Sequence, residues 1–297
     1  MLARQTGTIE EINIYPVKSL KGISLSQSVV TPLGLKWDRF WMIVNEDGLF
    51  MSQRNIPAMA TISTTLTDSH LVLSHDQFGE CHIPLLYAGS DELEATSFNA
   101  KVWQSECVVL DEGDKIGSWL TSILGRFRGQ ALRLVRLNPE SQRAVSNKHT
   151  NGDIHQTYFA DGYPFLVATS ASLDELNTKL VAQSESAVPM SRFRANVVIA
   201  GTTAFVEHQF KYMQMGEAGT LHLCKPCERC KMTSIDQSSG EISNSKQPLK
   251  TLFSMENIAD KGAYFGHNGV LIKSKSLEND CCISVGDTVC FSHEVQG

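Results

Sequence analysis

The 297-residue chain contains no apolar run of about 18 residues, so no helix predicted from it would cross a bilayer. Residues 1–10 lack the apolar core of an export signal. Basic residues are in no excess. The 26 Lys+Arg face 32 Asp+Glu, and the net charge of −6 argues against a general nucleic-acid binder. Eight cysteines are too few for a disulfide scaffold, and a chain of this length can bury its own core without cross-links. There is no internal repeat and no low-complexity tract. These absences leave a soluble cytoplasmic protein, with no membrane and no nucleic acid among its expected partners.

With 42% hydrophobic and 20% charged residues the chain is globular rather than disordered, and its length predicts about two domains. Residues 9–15 alternate apolar and polar side chains, 39–44 form an apolar run of the buried-strand kind, and 70–74 alternate again. Turn signals at Pro32-Leu33-Gly34, Glu46-Asp47-Gly48 and Phe78-Gly79 separate them. One helix is predicted over 114–124, capped by Asp114 and ended by Gly125. A second is predicted over 172–181, opening with a Ser172/Glu175 capping box. Residues 126–143 hold five arginines beside Leu132, Leu134 and Val135, which reads as a basic strand or as a docking segment. Residues 138–160 read as a linker or loop, and further strands are expected at 164–168, 196–200, 210–215, 221–223 and 283–291. The fold class is mainly β with some α, arranged as two β-rich lobes.

The cysteines are unevenly placed. Cys224, Cys227 and Cys230 recur every third residue, which in a reducing compartment suggests metal or redox chemistry. An iron–sulfur run would need a fourth cysteine at position 234, which is Ser234. A structural zinc site also needs four ligands, and only His222 is near in sequence. Three ordinary thiols are the remaining reading.

The run Cys227-Glu228-Arg229-Cys230, followed by Thr233-Ser234-Ile235-Asp236 and Gly240, resembles the signature of MOSC-domain proteins, which bind the molybdenum cofactor. Ile14-Tyr15-Pro16-Val17-Lys18-Ser19-Leu20-Lys21-Gly22 is similar to the opening of the MOSC N-terminal β-barrel domain. Gly34-Leu35, Asp38-Arg39, Trp41-Met42-Ile43-Val44 and Gln53-Arg54 continue the likeness. Asp161-Gly162-Tyr163-Pro164-Phe165-Leu166, Ser172-Leu173, Phe193-Arg194-Ala195-Asn196 and Val285-Gly286-Asp287-Thr288-Val289 carry it to the end. The resemblance implies an N-terminal β-barrel-like domain over 1–125 and a C-terminal MOSC β-barrel domain over 126–297, with a linker at about 126–160.

The pattern is most similar to amidoxime-reducing components and their bacterial counterparts. Those enzymes reduce N-hydroxylated compounds at a molybdenum held by a pterin dithiolene and one protein cysteine. By motif position the implied ligand is Cys230. A soft thiolate suits a metal already bound by sulfur, and Arg229 and Lys231 beside it would favour the ionised form. Cys227 then supports the site from behind or is structural, and Cys224 is incidental. The resemblance assigns the pterin phosphate to Lys18, Ser19, Arg39, Arg194 and Asn196, with Arg229 nearby. Thr169, Ser170 and Ser172 join them because they sit where a helix begins, and free N–H groups there favour an anion. Asp236 either starts a turn or takes a catalytic part, orienting the loop or delivering protons. Gln237 stands where this family often has proline. Pyridoxal phosphate binding is a further association of such domains.

No C-x4-C-x2-C run and no Gly-rich dinucleotide fingerprint occurs, so electrons are expected from a separate ferredoxin, flavodoxin or reductase. The substrate implied is a small N-hydroxylated compound. The membrane-anchoring leader of the mitochondrial relatives is also missing from the expectation. Two other readings stay open at this point: a sulfur carrier or cofactor-delivery protein with a reactive Cys230, and a zinc-binding scaffold.

Overall fold

The structure is a computed structural model and describes residues 4–86, 97–242, 246–256, 258, 261–273 and 281–295. In the first half the chain forms β1 (Gln5–Ile14), β2 (Ile23–Leu25), β3 (Gln27–Thr31), β4 (Gly34–Leu35), β5 (Trp41–Asn45), β6 (Ser63–Leu66), β7 (His70–His75), β8 (Gly79–Pro84), β9 (Ser97–Val102) and β10 (Ser105–Asp111). Helix α1 (Asp114–Leu124) and β11 (Leu132–Leu137) follow. The second half runs through β12 (Phe165–Thr169), α2 (Ser170–Ala182), β13 (Val197–Ala200), β14 (Tyr212–Gln214) and β15 (Thr220–Glu228). It ends with α3 (Leu249–Met255), β16 (Tyr264–Lys273), β17 (Cys282–Ser284) and β18 (Thr288–Ser292).

Seven strands close a barrel in the order β13-β12-β16-β15-β14-β18-β1, because β1 pairs with both β18 and β13, and β2 extends it at β1. Closure removes the unpaired edges that an open sheet would expose. Its interior is filled by Ile9, Ile12, Phe165, Val197, Leu221 and Phe291, all at most 1% exposed. β12 and β13 are its parallel pair, and α2 is the crossover such a pair requires. The other part is a four-stranded sheet, β5-β11-β10-β9, flanked by the β6-β7-β8 meander. β5 is buried along its whole length, as its unbroken apolar run Trp41–Val44 predicts. Helix α1 packs Ile116 and Leu120 against Leu132 and Leu134 of that sheet. The chain therefore weaves. Its first strand closes the barrel of the second half, and β11 completes the sheet of the first.

Several local expectations shift. Asp114 does not cap α1. The cap is Gly113 at φ 97, and the Asp114 carboxylate pairs with Arg133 at 2.6 Å. Helix α2 begins two residues before the expected Ser172, because Thr169 takes the cap and its Oγ1 accepts from the Ser172 N–H at 3.2 Å. The strand expected at 283–291 is broken at Val285-Gly286-Asp287, where Gly286 adopts φ 97. The 221–223 strand instead lengthens to Thr220–Glu228, which places Cys224 and Cys227 on β15. Within the arginine-rich segment only Arg133 and Arg136 lie on a strand, β11; Arg126 and Arg128 are exposed, whereas Arg136 and Arg143 are buried. Arg133 pairs with Asp111 and Asp114, Arg136 with Glu112, and Arg143 donates to the Tyr158 carbonyl at 2.7 Å.

Candidate functional site

The site forms where β1 leaves the barrel. Lys18 follows that strand, and its backbone N–H is held by the Trp41 carbonyl at 2.8 Å. Ser19, Arg39 and Arg194 all take left-handed backbone, with φ of 69, 50 and 55. Such conformations cost about 1–3 kcal/mol each in non-glycine residues and gather where function needs a fixed geometry. Here they turn side chains from three separate segments into one cavity. The cavity is lined by Lys18, Ser19, Arg39, Arg192, Arg194, Asn196, Arg229 and Cys230, closed at one side by Asp161-Gly162-Tyr163. It is about 130 Å³, and Arg194 also walls an adjoining cleft of about 300 Å³ floored by Tyr15, Asp236 and Gln237.

Each cation is anchored differently. The Lys18 ammonium donates to the Phe159 carbonyl at 2.7 Å and pairs closely with Asp161. Burial pulls Lys18 down to about 8 despite that partner. Burial alone would raise the Asp161 carboxyl, but Lys18 and Arg54 outweigh it and hold it well below the usual carboxylate range. Arg39 is clamped by Asp38 at 2.6 Å and lies 4.2 Å from the Tyr15 ring centre, with Arg194 4.1 Å from the same ring. Arg194 donates to the Leu20 carbonyl at 2.8 Å, and burial lowers it to about 10, still charged at neutral pH. Asn196 spans two strands, accepting from the Leu166 N–H and donating to the Asn13 carbonyl, so it fixes the wall behind the cavity.

The thiols separate clearly. Cys230 is exposed, and the Arg54 guanidinium lies 3.3 Å from its sulfur. Arg54 was outside the expected set, although Gln53-Arg54 belonged to the motif. Arg229, expected to favour the Cys230 thiolate, instead points its Nη1 at Cys227, 2.9 Å from that sulfur. Cys224 faces away beside His222, and burial pushes its thiol up to about 12. Among the described residues no group of three His, Cys, Asp or Glu side chains could hold a metal between them.

Asp236 sits behind the cavity rather than on it. Its Oδ1 accepts the N–H groups of Ser238 and Ser239 at 2.9 and 3.1 Å, and Oδ2 holds Arg192 at 3.1 Å. These bonds hold its carboxyl far below the usual carboxylate range and tie the loop into a turn. Gly240 completes that turn at φ 73, where a Cβ would lie 3.0 Å from the Pro57 carbonyl. Gln237, in place of the family's proline, exchanges amide hydrogen bonds with Gln53 at 2.9 and 3.0 Å and ties this loop to the first half.

Thr169, Ser170 and Ser172 are not brought to the cavity. Thr169 caps α2, Ser170 reaches the Ile199 carbonyl, and the buried Ser172 hydroxyl lies against Glu207 and the Phe205 N–H. Sequence reasoning also missed Arg192 and Asn268. Arg192 alternates with Arg194 in Ser191-Arg192-Phe193-Arg194, a usable signal, whereas nothing around Asn268 marks it.

The donor set fits an anionic ligand. Arg54 Nη2, Arg192 Nε, Arg194 Nη2 and Arg229 Nε are buried with no hydrogen-bond partner. The same guanidiniums are otherwise held, Arg192 by Asp236, Arg194 by the Leu20 carbonyl and Arg229 by the Phe193 carbonyl, and a buried N–H left without a partner costs about 1–3 kcal/mol, which an anion's oxygens would offset. Guanidinium groups suit phosphate, and the neighbouring exposed thiol suits a soft metal. Neither the site nor the relatives described next point to pyridoxal phosphate.

The chain matches the MOSC N-terminal beta barrel domain over residues 6–127 and the MOSC domain over 154–290. It is 32% identical to mitochondrial amidoxime-reducing component 1 of Mus musculus, covering 96% of this chain and 82% of that one. It is 30% identical to the Homo sapiens component 1 over 97% of this chain and 84% of that protein. With component 2 of Bos taurus the identity is 32%, over 84% and 72% respectively. Among the described residues no helix is long and apolar enough to cross a membrane. The chain belongs to the family of two-part MOSC proteins that includes the amidoxime-reducing components.

Proposed function

We propose that this protein is a molybdenum-cofactor oxidoreductase that reduces small N-hydroxylated compounds with electrons from a separate protein donor. The observation that carries the reading is the exposed thiol of Cys230 at the edge of a cavity where Arg192, Arg194 and Arg229 each keep a buried N–H without a partner. When bound, a molybdenum–pterin group supplies the two-electron step at the N–O bond. Cys230 is the side chain to hold the metal. Arg39, Arg192, Arg194 and Lys18 receive the phosphate, with Ser19 and Arg229 at the cavity wall. Asn196 and the Gln53–Gln237 pair keep the walls in register.

The net reaction is R–NHOH plus two electrons and two protons giving R–NH2 and water. Lys18 meets the cavity as an ammonium held between the Phe159 carbonyl and Asp161, with burial lowering it to about 8. Asp161 stays ionised and keeps the ammonium aimed at the cavity. Arg54 Nη1 lies 3.3 Å from the Cys230 sulfur and is placed to orient that side chain.

Metal and pterin analysis of protein made in a cofactor-competent host tests the reading, together with benzamidoxime reduction by dithionite-reduced enzyme. The expected result is molybdenum in the wild type and activity at background in Cys230→Ser. Protein that never takes up molybdenum and reduces no benzamidoxime would overturn it, as would a labile sulfur on Cys230 with cofactor passed on to another enzyme.

A further inference from the structure

Beside the Cys230 loop lies a second, open cleft of about 580 Å³ that no part of the proposed chemistry uses. Its floor includes Ile242, Leu249, Phe253 and Ala263. Ile242 and Phe253 are 58% and 57% exposed, an unusual outlay of large apolar surface. Around it stand Lys231, Lys246, Lys250 and Lys261, all exposed. Lys250 and Phe253 fall three residues apart on α3 and so share its outer face. Glu228 is the carboxylate in the lining, and among the described residues none of the four lysines is held in an ion pair. A lysine rim around an apolar floor is notable in a chain whose net charge is −6.

The position matters as much as the charge. Glu228 and Arg229 wall both this cleft and the cavity, and Lys231 directly follows Cys230. A protein seated here would rest within one residue of the candidate metal ligand. Exposed lysines are mobile point charges suited to steering an encounter, whereas the cavity's arginines are held by Asp38, Asp236, the Leu20 carbonyl and the Phe193 carbonyl.

We propose that this lysine-rimmed cleft is the docking surface for an acidic one-electron carrier protein, seated on Phe253 and Ile242 and oriented by Lys231, Lys246, Lys250 and Lys261. The proposal rests on the reductase reading above. Two reduced carriers each give up one electron and leave oxidised. Those two electrons, with two protons from water, break the N–O bond of one N-hydroxylated substrate and yield the amine and one water. The acidic character of the occupant follows from charge complementarity, and its brief residence from a modest apolar floor within a charged rim.

The test uses full-length holoprotein and benzamidoxime, with electrons supplied first by reduced methyl viologen and then by reduced plant-type [2Fe–2S] ferredoxin or by reduced flavodoxin, two acidic carriers. At least one carrier should sustain turnover, with kcat/KM falling as salt is added. The double variant Lys246→Glu/Lys250→Glu should lose on the order of tenfold in carrier-driven kcat/KM and most of the salt dependence. Its viologen-driven rate should be unchanged, which also shows that it is folded. Phe253→Ala should weaken the carrier-driven rate alone. A carrier-driven rate unchanged in the double variant, a wild-type rate that rises with salt, or turnover with neither carrier overturns the surface. Absence of viologen-driven turnover overturns the reductase reading instead. The surface is then decided by calorimetric titration of ferredoxin at low salt: binding that the double variant loses supports it, and no binding by the wild type overturns it.

Discussion

Two places in this molecule offer donor groups to an anion, the cavity beside Cys230 and the N-terminus of α2, and they differ in whether those donors are already spent. In the cavity, buried guanidinium N–H groups of Arg192, Arg194 and Arg229 have no partner. At α2 the Thr169 hydroxyl takes the Ser172 N–H, the Ser172 hydroxyl serves the Phe205 N–H, and Glu207 lies buried alongside. At the cavity those N–H groups are left over, whereas at α2 the donors finish a crossover between β12 and β13. Residue type alone does not tell them apart. Both contain the side chains that bind phosphate elsewhere.

The largest expected effect comes from emptying the first site. Inorganic phosphate should raise the melting temperature of cofactor-free protein, by about 2.7 kcal/mol of stabilisation at a hundredfold excess over its Kd. Arg194→Met should remove most of that shift and lower the molybdenum retained by the holoprotein, both measurable on one preparation. A phosphate shift that survives Arg194→Met would break the contrast, because the anion would then be held elsewhere.

A second effect, on stability alone, concerns the carboxylate at the second site. Burial pushes Glu207 up to about 7 from an ordinary 4.5. A carboxyl raised on folding contributes its stability fully below the unfolded value, where both states hold the proton. That contribution is lost as the pH rises through about 7, because the folded state must then carry a buried charge. Urea unfolding should show wild-type stability declining across this window and a flatter profile in Glu207→Gln, with the variant gaining relative to wild type on the alkaline side. Equal slopes would show that Glu207 is not held protonated.

The smallest effects lie at the cap itself. Thr169→Ala should cost about 1 kcal/mol of stability through loss of the helix cap, with molybdenum content unchanged. Ser170→Ala should stay within about 0.5 kcal/mol, since its hydroxyl makes only a 3.4 Å contact to the Ile199 carbonyl. A fall in bound cofactor in either variant would make α2 part of the site after all.

Much of the fold is legible from residues. The apolar run Trp41–Val44 forms the fully buried β5, and the stripe of Ile116 and Leu120 packs as α1 predicts. What local reading loses is pairing across distance. Nothing within β1 says that its partners are β13 and β18, because strand pairing is decided by which faces remain to be buried once the rest has folded. The same limit applies at the site. Lys18, Ser19, Arg39, Arg194, Arg229 and Cys230 are reached through ordered motifs; Arg54 and Arg192 carry sequence signals too, but their roles, at the Cys230 sulfur and at Asp236, come from contacts between segments far apart in the chain.

By itself the sequence determined which chemistries this chain can carry: soft thiols at 224, 227 and 230, cations scattered among several motifs, and β-rich lobes with a crossover helix. Tertiary structure decided which of those groups are free to act. Three thiols of identical chemistry became one exposed, one beside Arg229 and one half-buried beside His222 with its thiol pushed up to about 12. A donor's availability depends on the acceptors that folding brings to it, and those come from the Asp38, Leu20, Asp161 and Glu207 neighbourhoods rather than from adjacent residues.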